Sequence, residues 1–136
     1  MFPNFTMYLL SYYEDKGLFE ASLGGKVTLS ELDVFREELS EIVECRDGLP
    51  FNLLLDYSRV KGFYLDVMLA LCDIRDRCHE LGAQKIVNVA PSESHIEEEV
   101  AHRLNQVMQG AEDFVLDPSY ARFPSVPREA LVAKVA

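Results

Sequence analysis

The sequence is poor in cysteine, in basic charge and in long apolar runs. Its three cysteines, Cys45, Cys72 and Cys78, are too few and odd in number for a disulfide framework. Two of them fall on apolar helical faces, where a free thiol acts as a small hydrophobe. A reducing compartment, the cytoplasm, is the expected location. Lys and Arg number 13 against 23 Asp and Glu, for a net charge of -10. Nucleic acid and anionic membrane surfaces reward cations, so neither is an expected partner. A basic protein partner would gain in association rate. No apolar run approaches the length of a membrane span. The opening MFPNFTMYLL lacks the basic flank and small-residue cleavage site of a signal peptide. Also missing are internal repeats, low-complexity segments, a Gly-rich phosphate loop, a nucleophile elbow and any Ser-His-Asp order. No catalytic residues, cofactor or metal are therefore expected.

What is present is an ordinary globular composition, 49% hydrophobic and 26% charged over 136 residues, which suits one domain. The stretch around which the chain is organised is Asn52 to Cys72, NLLLDYSRVKGFYLDVMLALC. It reads as an apolar strand ending at Asp56, a loop over residues 58 to 65 and an apolar helix. Before it, MYLLSYY and LFEASL flank a turn at Glu14-Asp15-Lys16-Gly17 and form a hairpin. Thr28 and Glu31 have capping-box spacing, and Leu32, Phe35, Leu39, Ile42 and Val43 repeat as one helical stripe. Phe51 to Leu55 is continuously apolar, as in a central strand covered on both faces. A helix over 66–81 follows, with Val67, Leu71, Ile74, Cys78 and Leu81 as its stripe. KIVNVA is the next strand, and Ser94 with Glu97 starts a helix whose stripe is Ile96, Val100, Leu104 and Val107. Phe114 to Leu116 is a last short strand, and residues 118–136 form a Pro-rich extension with a possible terminal helix. The order β-β-α-β-α-β-α-β predicts an α/β fold: a mixed, mostly parallel sheet with an N-terminal hairpin and helices packed on it.

This order, over about residues 7 to 117, resembles the STAS domain of bacterial anti-anti-sigma factors and of the cytoplasmic tails of sulfate transporters. Asp56-Tyr57-Ser58-Arg59-Val60 is similar to that family's D-x-S-x-V at the end of the third strand. The resemblance implies a regulatory protein-binding domain whose partner is an anti-sigma-type kinase. Members switched by phosphorylation carry a Ser shortly after this point; here Leu65 holds that place, so no phosphorylation cycle is expected. Some members without the acceptor resemble small lipid-transfer domains in outline. That makes a small apolar ligand under the 66–81 helix the alternative reading. The same helix could also build a homodimer.

Sites in open α/β sheets lie where strands end at their carboxyl side. The candidate partner-binding residues are therefore Ser58, Arg59, Lys61, Phe63, Tyr64 and Asp66. Aromatics and Arg are enriched in binding hot spots. Asp66 can stabilise a helix start through the dipole, or supply a fixed negative charge where relatives acquire a phosphate. Phe63 and Tyr64 either point outward or fold over the sheet edge. Asp56 has a rival role. LLLDYS and GAEDFVLDPS resemble response-regulator receiver domains, in which an Asp at this strand end accepts phosphate and an acidic pair, here Glu14-Asp15, holds magnesium. Asp117 stands where a receiver has its Lys before Pro118, which opposes that reading. His95, Glu98, Glu99 and His102 share one helical face, but without H-E-x-x-H spacing they read as a solvated surface.

Overall fold

A computed structural model describes residues 7–132. The fold is α/β. Five strands form one mixed sheet in the order β1-β2-β3-β4-β5, so spatial order follows chain order. They are β1 (Met7–Tyr13), β2 (Leu18–Lys26), β3 (Phe51–Lys61), β4 (Ala83–Val89) and β5 (Glu112–Val115). The first pair is antiparallel and the rest are parallel. The helices are α1 (Leu29–Glu44), α2 (Leu65–Glu80), α3 (Glu93–His102), α4 (Leu104–Met108) and α5 (Arg128–Val132). No helix among the described residues is long and apolar enough to cross a membrane.

The pleat explains which residues build the core. Phe19, Ala21 and Leu23 of β2 and Phe51, Leu53, Leu55 and Tyr57 of β3 share one sheet face. Against it lie Leu32, Phe35, Leu39 and Val43 of α1 and Val67, Leu71, Ile74 and Cys78 of α2. The box at Thr28 fixes where α1 begins: Thr28 Oγ1 accepts from the Glu31 N–H at 3.2 Å, and Glu31 Oε1 accepts from the Thr28 N–H at 3.1 Å. The opposite sheet face is covered differently. Leu54, Val87 and Val89 there meet Ala121 and Phe123, and Val126 is buried as well. Residues 118–126 thus form a strap across the second face. Asn52 Nδ2 donates to the Pro124 carbonyl at 2.8 Å and pins it. Gly17, at φ +60°, lets Val126 approach; a Cβ there would stand 2.8 Å from Val126 Cγ2.

Three expectations are corrected. First, β3 does not end at Asp56 but continues to Lys61, so residues 58 to 61 are strand and not loop. Its extension is made possible by a bulge: Ser22 pairs with Asp56 and Gly24 with Arg59, leaving Leu23 opposite both Tyr57 and Ser58. Second, the single helix from Ser94 to Gly110 is two, because Arg103 leaves the helical region at φ -110°, ψ 18°. Ser92, not Ser94, caps its start. The buried residues of this segment are Glu99 and Arg103, while Leu104 is exposed. Of the anticipated apolar stripe, Ile96 packs against the core, but the buried positions are charged, for reasons given below. Third, the core reaches past residue 117 into the strap.

Candidate functional site

The bulge in β3 organises the carboxyl end of the sheet. Asp56 Oδ1 accepts from the Ser58 backbone N–H at 3.0 Å and from Ser58 Oγ at 2.6 Å. This carboxylate therefore holds its own strand in shape, an ordinary local role for Asp. Beyond the bulge the pleat places Arg59 and Lys61 on the face opposite α1 and α2, both exposed, while Val60 turns into the core. The connection to α2 shrinks to residues 62–64.

That short connection divides the two aromatics. Phe63 folds down, stacking on Tyr57 with centroids 5.7 Å apart and touching His95 at 5.0 Å. Tyr64 stays outside at 70% exposure. Leu65 and Leu69, one helical turn apart, are also exposed, at 60% and 48%. Helix α2 begins at Leu65, one residue earlier than the sequence implies, with Tyr64 as its uncapped N-terminal residue. Asp66 sits in the first turn, accepts from the Val67 N–H at 2.8 Å and is favoured by the dipole.

Two adjoining grooves run along this end of the sheet. One, of about 430 Å³, is bordered by Tyr8, Leu9, Ser22, Arg59 and Lys61, with Gly24 and Gly25 between. The other, of about 490 Å³, continues past Lys26, Thr28, Gly62 and Tyr64. Of the residues singled out from sequence, Arg59, Lys61 and Tyr64 border these grooves. Ser58, Phe63 and Asp66 lie behind or beside them, engaged in the contacts just described.

Sequence reasoning missed a second constellation, buried between α2, α3, the carboxyl end of β4 and the start of β5. Arg75 is fully buried. Its Nη1 donates to Tyr57 Oη and to Asn88 Oδ1, both at 2.7 Å, and its Nη2 donates to Glu99 Oε2 at 2.7 Å. Glu112 Oε2 accepts from Arg103 Nη2 at 2.6 Å and lies 2.8 Å from His79 Nε2. Arg103 Nη1 donates to Asp76 Oδ1 at 2.6 Å, and Asn88 Nδ2 donates to Glu112 Oε1 at 3.2 Å. Two guanidinium groups thus face two buried carboxylates. This is why α3 turns Glu99 inward: a carboxylate with an opposite charge at hydrogen-bond distance can be buried, and Arg75 supplies one. Glu99 and His95 are consequently committed to the interior side of α3, which disperses the His95, Glu98, Glu99 and His102 set.

Burial alone would raise Glu112, but His79, Arg103 and Arg75 overcome it and hold the carboxyl at about 2, against an ordinary 4.5. Burial pushes the Tyr57 hydroxyl well above its usual range, so it remains a neutral partner to Arg75. Because Glu112 is depressed in the folded state, its stabilisation is complete above its unfolded pKa and is lost as pH falls from about 4.5 to about 2. Urea midpoints measured over that window should fall with acidification, and Glu112→Gln should flatten the slope. Parallel profiles for the two proteins would show that the group does not titrate this way.

No family model matches the chain, and no curated protein matches it.

Proposed function

We propose that this chain is a non-enzymatic regulatory binding domain of the STAS type, acting on a partner protein through the surface where β3 meets α2. The observation that carries the reading is the exposure of Tyr64, Leu65 and Leu69 at the start of α2, with Tyr64 bordering the same groove as Lys61 at the end of β3. A large aromatic and two aliphatic side chains left in water make the kind of patch from which hot spots are built. The order of elements and the Asp56-to-Val60 segment add the resemblance to anti-anti-sigma factors. Under that resemblance the partner is an anti-sigma-type kinase and the protein works in the cytoplasm. With Leu65 where relatives have a phosphorylated Ser, binding is constitutive and not switched at that position. The apolar-ligand alternative requires space beneath α2, where Val67, Leu71, Ile74 and Cys78 are at most 3% exposed and packed into the core.

Native mass spectrometry on protein purified from its own host discriminates between the two. A co-purifying kinase-like protein supports regulation, and a retained small mass supports the ligand. Replacing Tyr64 and Leu65 together by Ser should weaken the protein partner at least about tenfold, roughly the effect of losing one hot-spot anchor. The melting temperature should hardly move, since both side chains are already in solvent. Unchanged affinity in the double variant would remove this surface from consideration.

A further inference from the structure

Several cations of this chain are matched to acids: Arg36 pairs with Asp73, Arg77 with Glu44, Lys85 with Asp113, Arg75 with Glu99, and Arg103 with Glu112. Arg59 and Lys61, both exposed and two positions apart on one strand face, have no acidic partner among the described residues. In a protein of net charge -10, this is a local positive field against the sign of the whole.

The same residues form one wall of the groove described above. Its floor is Gly24 and Gly25, and its opposite wall is Leu9 of the edge strand, 71% exposed, with Tyr8. Glycine within a strand marks places where another backbone approaches closely. The groove is open along its length, so a small molecule would keep much of its surface in water, whereas pockets for small ligands enclose them. A chain segment can lie along it. Resting on the binding role proposed above, we propose that this groove takes an extended acidic segment of the partner protein, its carboxylates set against Arg59 and Lys61 and an apolar side chain against Leu9.

The test uses the full chain and a labelled peptide of alternating Glu and Leu, with Gln–Leu and Lys–Leu peptides as comparisons, followed by fluorescence anisotropy. The acidic peptide should bind at least about tenfold more tightly than the neutral one and weaken as salt rises. Arg59→Gln with Lys61→Gln should abolish that preference. Gly24→Ala keeps the cations but raises the floor, and should reduce binding of both the acidic and the neutral peptide. Gly24 is not in the left-handed region and a Cβ there meets Arg59 Cβ at an ordinary 3.4 Å, so this variant should fold normally. Equal binding of acidic and neutral peptides overturns the proposal. So does unchanged binding in either variant. Phosphatidylserine vesicles form a further arm, and binding to them without binding to the peptide would assign the cations to a lipid surface and overturn it too. The broader reading is tested separately. If the Tyr64 and Leu65 variant loses the native partner but the Arg59 and Lys61 variant keeps it, only the groove proposal fails. If both keep it, both fail.

Discussion

Arg75→Met should lower the free energy of unfolding by about 3–5 kcal/mol, the usual cost of removing one partner from a buried ion pair. Met fills similar volume without charge, so the loss reports electrostatics more than packing. Glu99 would be left buried with no cation at hydrogen-bond distance, and Tyr57 and Asn88 would each lose a donor. The cluster joins α2, β3, β4, α3 and β5 through one side chain. A double variant, Arg75→Met with Glu99→Gln, should recover part of the loss, because the stranded charge goes with it; Glu112 keeps Arg103 and His79 as partners. Urea unfolding of the purified variants measures both. A loss below about 1 kcal/mol for Arg75→Met would mean that water reaches the cluster and screens it like an exposed pair.

Ending the chain after Asp117 should destabilise it by about 3–5 kcal/mol, since full burial of one Val or Phe side chain is worth roughly 1.5–3 kcal/mol. The strap contributes Val126, at 8% exposure, and the partly covered Phe123 and Ala121. Its loss would bare Leu54, Val87 and Val89, and would remove the hydrogen bond from Asn52 to the Pro124 carbonyl. Increased binding of a hydrophobic dye at low denaturant should accompany the lower midpoint. A truncated chain that unfolds within about 1 kcal/mol of the full one would show that the strap is decoration and that the second sheet face tolerates water.

Much of the frame was legible because it rests on local patterns. The hairpin turn at Gly17, the box at Thr28 and Glu31 and the apolar run Phe51 to Leu55 each specify their element within a few residues. What escaped depends on residues far apart in the chain. The continuation of β3 to Lys61 depends on pairing with Gly24, Gly25 and Lys26, which no window of neighbouring residues contains. Arg75 does not announce burial by its type, although its position argues for it. It lies four residues after Leu71 and three before Cys78, inside the buried stripe of α2. Asn88 carried the same kind of signal, a lone amide in the apolar strand KIVNVA. A long polar side chain at a core position should prompt a search for others, and Glu99, four residues before Arg103, was available to be found. At the candidate site, sequence identified Arg59, Lys61 and Tyr64 as residues of interest. It could not assign them to a strand face, because one extra residue in a bulge inverts every side chain beyond it.

The arrangement of strands in order of synthesis has a bearing on how the chain reaches its native state. Each strand after the first can dock on the one just made, so growth proceeds by short returns of the chain, which favours rapid folding. The strap breaks that habit: Pro124 reaches back 72 positions to Asn52. The strap can settle only once β3 and β4 lie side by side, so a chain interrupted before it would lack its closing piece.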